Sequence, residues 1–241
     1  MSPVKSIRHK EQPGYVIHSY PYQETSLIVE LFTREFGRLA VVAKGAKRAH
    51  SALRSVLMPF HPLTLDWSGR AELKTLRSAE WRSGYRTLMG RSLMCGFYLN
   101  ELLLKLLHRE DPHEQLFDYY SQTLLDLHRS DEPATVLRHF EKNLFQELGY
   151  ALVLDREART DQPIKAHERY IYVIDQGPIA ARPGINGVEL SGQTLIDMNL
   201  NQYHSPSTQQ QSKTLMRALI SHYIGHQTLY SRQLLIDLQA L

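Results

Sequence analysis

Near residue 85 the texture of this 241-residue chain changes abruptly. Ahead of that point, short runs rich in Val, Ile, Tyr and Thr are separated by turn residues, the signature of β-strands. Beyond it Gly and Pro thin out, and Leu, Met and Phe recur at helical spacing. Strands gathered first and helices afterwards predict an α+β protein rather than an alternating parallel one. Five short strands are expected: Tyr15–Tyr20, Ser26–Thr33, Arg38–Lys44, Pro62–Trp67 and Arg70–Arg77. Alternation places Leu27, Val29 and Leu31, then Leu39, Val41 and Ala43, then Leu63, Leu65 and Trp67, on one side of their strands. Arg34-Glu35-Phe36-Gly37 reads as a hairpin loop in which Gly37 is free to take a positive φ. So short an antiparallel set leaves open edges unless it closes, which favours a small barrel of the OB-fold or SH3-like kind.

Three helices with short links follow. The first, Leu93–Leu107, is apolar almost all round, as a buried central helix would be. The second starts at Asp111-Pro112 and runs to about His128, with Leu116, Phe117, Tyr120, Leu124 and Leu127 on its apolar face. The third opens at Asp131-Glu132-Pro133, carries the stripe Leu137, Phe140, Leu144 and Leu148, and stops at Gly149. Together they predict a small bundle. From Asp155 to Gly187 the chain is polar and proline-punctuated around one β-like run, Arg169–Asp175, which predicts an irregular subdomain. Ser191 and Ser205 stand where the N-caps of two further helices are expected, ending near Leu200 and His226, and a last short helix is expected from Ser231 to about Leu238. The division that results is a barrel over 1–82, a helical bundle over 83–152, and a mixed, mostly helical extension over 153–241.

Several function classes are excluded by simple inspection. Cys95 is the only cysteine, so an internal disulfide and a cysteine-rich zinc site are both impossible, and a reducing compartment, the cytoplasm, is expected. No run approaches the roughly 18 apolar residues of a membrane span, and the polar start predicts no signal peptide. Neither the phosphate-cradling G-x-x-x-x-G-K-[ST] nor G-x-G-x-x-G occurs, and G-x-S-x-G is also missing. No enzymatic activity and no cofactor are therefore expected. His222 and His226 have the i,i+4 spacing that would set two imidazoles on one helix face, but Tyr223 stands where a zincin needs Glu, so a metal hydrolase is only an outlying alternative and no metal is expected.

The charge is unevenly placed. The whole chain carries a net +3, yet residues 1–84 hold 13 Lys and Arg against 7 Asp and Glu, leaving the remainder net acidic. Such asymmetry is a hint of nucleic-acid contact. Lys44-Gly45-Ala46-Lys47-Arg48, continuing to Arg54, leaves a predicted strand and can fan out from one rim of the barrel, while Arg38, Lys74 and Arg77 lie on neighbouring strands. Single-stranded nucleic acid is held by a positive groove plus aromatic faces, and Tyr15, Tyr20, Tyr22, Phe32 and Trp67 are interleaved with these cations; Phe32 and Trp67 individually are expected in the core. Phosphate contact by Lys44, Lys47 and Arg48 is the expectation. On the third helix Arg138 and Lys142 stand at i,i+4 beside the apolar stripe, where they could form a basic edge for an acidic, apolar peptide. An adaptor that binds such a peptide and touches DNA only incidentally is the alternative function.

The runs V-I-H-S-Y-P-Y-Q-E-T-S-L-I-V-E-L-F-T from Val16 and F-G-R-L-A-V-V-A-K-G-A-K-R from Phe36 resemble the bacterial recombination mediator family RecO. The resemblance continues through M-P-F-H-P-L at Met58, G-R-A-E-L-K-T-L-R-S-A-E at Gly69, Y-L-N-E-L-L-L at Tyr98, L-R-H-F-E at Leu137 and E-L-G-Y at Glu147, covering about the first 150 residues well. It implies an N-terminal OB-fold and a protein that binds single- and double-stranded DNA, anneals complementary strands without nucleotide hydrolysis, and works with RecR and the single-stranded DNA-binding protein SSB to load RecA in gap repair. By the same resemblance, Lys44, Lys47 and Arg48 would lie in the DNA-binding region, Arg138 near the groove for the C-terminal tail of SSB, and the protein would be associated with the nucleoid. Some members carry a four-cysteine zinc site in the C-terminal part; this chain has no cysteine there, so Asp155–Gly187 is expected to be a metal-free remnant.

Overall fold

The computed structural model describes residues 7–84 and 87–231, so the expected helix from Ser231 lies outside the described residues beyond its first position. Backbone contacts gather the chain into two compact units, one of residues 1–131 and 229–241, the other of 132–228.

In the first unit, the strands close on themselves. They are β1 (Arg8–Tyr22), β2 (Ser26–Thr33), β3 (Gly37–Ala43), β4 (Leu63–Ser68) and β5 (Leu73–Trp81), with a one-turn helix α1 (Ala52–Val56) between β3 and β4. The closed order is β1-β2-β3-β5-β4; only the β3–β5 pairing is parallel. Closure removes the edges that a five-stranded sheet would otherwise expose.

β1 begins seven residues earlier than its sequence pattern indicates and does two jobs. Arg8 to Gly14 pair with β4, and Gly14 to Tyr22 pair with β2. Irregularities in register between His9 and Gln12 and between Val16 and His18 bend the strand from one partner to the other. Gly14 sits at the handover, where a Cβ would come within 2.6 Å of Leu65 Cδ1. The barrel interior is filled by Val16, Val29, Leu31, Leu39, Val41, Leu63, Leu65, Trp67 and Leu76, as the alternation of β2, β3 and β4 predicts. Each such side chain, fully buried, stabilises the fold by roughly 1.5–3 kcal/mol.

The outer face of β1 and β2 is covered as well. The helices α2 (Gly90–Leu106) and α3 (Glu114–Arg129) belong to this unit. Phe117 and Tyr120 of α3 close on the outward rings of Tyr15 and Phe32, with centroids 5.1–5.9 Å apart. Asn100 of α2 donates to the Ile17 carbonyl (3.0 Å) and accepts from the Tyr120 hydroxyl (2.6 Å), so a buried amide ties strand to both helices. Pro112 precedes α3 rather than opening it; the helix starts one residue after His113.

The second unit holds α4 (Pro133–Glu147), a small antiparallel sheet of β6 (Arg169–Val173), β7 (Gly177–Ala180) and β8 (Val188–Ser191) in the order β7-β6-β8, then α5 (Gly192–Asn199) and α6 (Pro206–Ile224). Both expected serine caps are formed: Ser191 Oγ accepts from the Thr194 amide (3.2 Å) and Ser205 Oγ from the Thr208 amide (3.1 Å). α6 ends at Ile224 because Gly225 turns to a φ of 62°, which puts His226 off the helix and separates it from His222. The two imidazoles therefore do not share a helix face, which removes the geometric basis of the metal-hydrolase alternative.

Between α4 and β6, the loop is organised by one carboxylate. Glu157 is buried and accepts from the amides of Arg159 (3.0 Å), Thr160 (2.6 Å) and Ala180 (3.3 Å) and from the Thr160 hydroxyl (2.6 Å). Burial works against the charged form, but these donors outweigh it, and the carboxyl titrates below its ordinary value. A depressed folded-state value means that its stabilisation is fully present at neutral pH and is lost as the pH falls through the acidic range below the ordinary glutamate value. Glu157→Gln turns a donor toward this ring of donors and should cost about 2 kcal/mol. Thermal unfolding at pH 7 and again near pH 4 checks this: the variant's deficit should shrink on acidification, and an equal deficit at both pH values would contradict it.

Candidate nucleic-acid interface

The basic run lies immediately after β3. Its backbone is a series of tight turns, with Arg48 N bonded to Gly45 O and Ser51 N to Arg48 O (3.1 Å each). Two anchors hold it against the barrel: Ala46 is fully buried in the core cluster, and the Lys47 amide donates to Thr25 O in the β1–β2 turn (2.9 Å). Gly45, with φ of 71°, makes the sharp bend that lets the Arg48 side chain run across its open face, 3.5 Å from where a Cβ would be. Lys44, Lys47 and Arg48 are thus exposed cations on a pinned loop, and α1 carries Arg54 onward from it.

Parallel pairing of β3 and β5 puts their C-terminal ends at one end of the barrel. β5 continues past the end of β3, α1 lies alongside that stretch, and the Trp81 indole N–H donates to the Val56 carbonyl (2.8 Å). Arg77 stands on the same stretch of β5, exposed, with Nε donating to Ser68 Oγ (2.7 Å).

Ion pairing separates the cations of this unit into two sets. Arg8 pairs with Asp66, Arg34 with Glu114 and Asp118, Arg109 with Glu30 and Glu72, and Lys74 with Glu110. Lys44, Lys47, Arg48 and Arg54 have no acidic partner among the described residues. Charges without an internal counterion are left to a mobile external one.

Two of the seven expected DNA-binding residues face inward. Lys74 is buried, its ammonium held by Glu110 and by the Ala71 carbonyl (3.4 Å). Arg38 is half-buried and donates to the Leu104 carbonyl at the end of α2; burial pushes its guanidinium down from its ordinary value, where it stays charged. These two join the barrel to the segment after α2, a role invisible in their own stretch of sequence. Of the aromatics, Tyr15, Phe32 and Trp67 are buried, Tyr22 is half-buried and Tyr20 is exposed at 44% with its edge against His18. One further aromatic, outside the expected strands, is exposed: Trp81, at 52%, stacks on His61 with centroids 5.3 Å apart and planes 16° from parallel. Its signal is a tryptophan standing four residues beyond the expected end of the strand.

In the second unit Arg138 and Lys142 lie on α4 as expected, but both are engaged. Arg138 pairs with the buried Glu141 (2.7 Å), and its Nη1, itself buried, has no hydrogen-bond partner among the described residues. Lys142 donates to the Met198 and Asn199 carbonyls at the C-terminal end of α5 (2.8 and 3.0 Å) and to Asn201 Oδ1 (2.9 Å), and burial pushes its ammonium down from its ordinary value. Beside them the Tyr203 hydroxyl is buried, which pushes it up to about 12.

Residues 7–85 match the family described as Recombination protein O N terminal, and residues 90–233 match Recombination protein O C terminal. This chain belongs to the RecO family. It is 53% identical to the DNA repair protein RecO of Nitrosospira multiformis over 236 residues, 97% of this chain and 98% of that one. Identity is 50% to the DNA repair protein RecO of Aromatoleum aromaticum over 97% of this chain and 98% of the relative, and 49% to that of Paraburkholderia xenovorans over 100% and 81%. The closed barrel of the RecO N-terminal part is an OB-fold. Membership fits the placement of the basic loop on that barrel, and no described helix is long and apolar enough to cross a membrane.

Proposed function

We propose that this chain is a DNA-binding recombination mediator which, with no catalytic centre or nucleotide cofactor of its own, anneals complementary single strands and helps load the recombinase RecA on SSB-coated DNA in gap repair. The observation that carries this reading is the set of four exposed, unpaired cations, Lys44, Lys47, Arg48 and Arg54, on a pinned loop and helix at one end of an OB-fold barrel. Annealing requires two polyanions to approach, and a fixed cluster of cations lowers that barrier by releasing counterions from phosphates. Arg77 extends the cluster along β5, while Arg38 and Lys74 are spent on holding the end of α2 and the segment after it to the barrel.

In this reading residues 1–82 contact DNA, single- or double-stranded, 83–152 is the helical part, of which α2 and α3 support that barrel, and 153–241 forms the extension. The C-terminal tail of SSB is assigned to the Arg138 edge of α4, supported by the i,i+4 placement of Arg138 and Lys142 on one helix. Lys142 already spends its donors on α5, which weighs against an adaptor whose main ligand is an acidic peptide. RecR is the partner at the loading step, and the workplace is the cytoplasm at the nucleoid.

The test is the rate at which two complementary oligonucleotides anneal, bare or coated with the cognate SSB, with no nucleotide present. The expected outcome is acceleration on both. Acceleration on bare strands alone removes the SSB assignment to α4, and silence on both overturns the mediator reading.

A further inference from the structure

Trp81 is an anomaly at the end of the run of cations on the basic loop and α1. An indole is a costly group to leave in water, and this one is 52% exposed although it is immobilised on both of the sides that fix a ring. Its N–H is bonded to the Val56 carbonyl (2.8 Å), which sets the ring's orientation, and His61 backs it in parallel at 5.3 Å. His61 is itself held, its Nδ1 3.0 Å from the Pro59 carbonyl. Because the polar atom is satisfied within the protein, the exposed part of the side chain is ring surface, with no hydrogen bond left to offer.

Two unpaired cations lie beside it, against one exposed carboxylate, Glu80. Arg54 lies on the helix whose last residue holds the indole, and Arg82 follows directly in the chain; both are exposed and neither has an acidic partner among the described residues. The path from the basic loop runs along α1, about 1.5 Å per residue, straight to Trp81. A rigid ring beside unpaired cations is the combination that holds single-stranded nucleic acid, since every base has a π-face and the backbone brings its phosphates.

We propose that Trp81, backed by His61, is a base-stacking platform for single-stranded DNA, at which a strand held by Lys44, Lys47, Arg48 and Arg54 parks an unpaired base. It rests on the DNA-binding reading above and adds to it a discrimination: the platform takes bases that are unstacked, and so favours single strands over duplex. A base held by its face keeps its pairing edge free, which is also what a strand awaiting its complement requires.

The test uses the full chain and an oligothymidine of about 20 nucleotides, with a duplex of equal length as the comparison. The chain has two tryptophans, and Trp67 is fully buried, so quenching of intrinsic fluorescence on titration reports Trp81. Expected are quenching by the oligothymidine, a loss of single-strand affinity of about 5- to 100-fold in Trp81→Ala with duplex affinity unchanged, and near-native affinity in Trp81→Phe, which keeps a ring. His61→Ala, which leaves the indole but removes its backing, should give an intermediate loss and serves if Trp81→Ala does not fold. If Trp81→Ala binds single strands as tightly as the unaltered chain, the platform is overturned and the DNA-binding reading stands; the exposed ring then belongs to a protein contact. Equal losses for single strands and duplex also overturn it, and failure of the unaltered chain to bind either DNA overturns both readings.

Discussion

Lys44→Glu, Lys47→Glu and Arg48→Glu introduced together lower the affinity for single-stranded DNA by about 100-fold or more near 0.15 M salt, with the fold unchanged. Each phosphate contacted by a cation contributes a factor of roughly 4 at that salt through counterion release, three contribute about 50, and reversal adds repulsion to the loss. None of the three side chains has an acidic partner in the barrel, so removing them strands no buried charge. The loop's anchors, the Ala46 side chain and the Lys47 amide bonded to Thr25 O, survive the substitutions. A thermal midpoint within a few degrees of the original, measured beside the binding titration, is therefore part of the expected result. Unchanged affinity would move the DNA site off this loop.

The second large effect is on stability. Gly37 closes the β2–β3 hairpin at φ of 61°, and a Cβ there would overlap the Asp111 carbonyl. Gly37→Ala therefore meets two penalties, about 1–2 kcal/mol for the left-handed backbone and 1–3 kcal/mol for forcing the 110–111 segment outward. That segment carries the Glu110 amide bonded to Arg38 O (2.8 Å) and the Glu110 carboxylate on Lys74, so the join between the barrel and the segment after α2 would loosen with it. The expected outcome is a fall in the thermal midpoint of roughly 5–15 °C, at 2–4 °C per kcal/mol. An unchanged midpoint would contradict the close approach seen at Asp111.

The barrel was readable because its core obeys alternation: Leu27, Val29 and Leu31, or Leu63, Leu65 and Trp67, announce one buried side at every second position. The caps at Ser191 and Ser205 were readable because capping is local chemistry. The first half of β1 was not, since Arg8 to Gln12 are polar residues whose strand conformation is imposed by pairing with β4. α1 escaped because five residues with none fully buried leave no periodicity to detect. β7 and β8, four residues each, are likewise too short to show a pattern.

The site was half readable for a similar reason. A cluster of cations is visible in sequence, but which of them are spent is decided by partners far away along the chain. Lys74 finds Glu110 36 residues on, and Arg38 finds the Leu104 carbonyl 66 residues on. Lys44, Lys47 and Arg48, by contrast, leave the barrel at a strand end where the chain turns back tightly, and no distant acid claims them among the described residues, so their local cluster already shows what they are free to do. The meaning of Trp81 is not visible in its own stretch of sequence, because it lies in His61 and Val56, which the barrel's closure brings beside it.

The most direct measurement of the central claim, that unpaired cations at one end of the barrel hold the DNA backbone, is the slope of log affinity for single-stranded DNA against log salt concentration. For the unaltered chain it should be steeply negative, and in the Lys44, Lys47 and Arg48 reversal it should flatten by about 2, three contacts at roughly 0.7 each. A slope near zero in the unaltered chain, or the same slope in both proteins, would contradict the account.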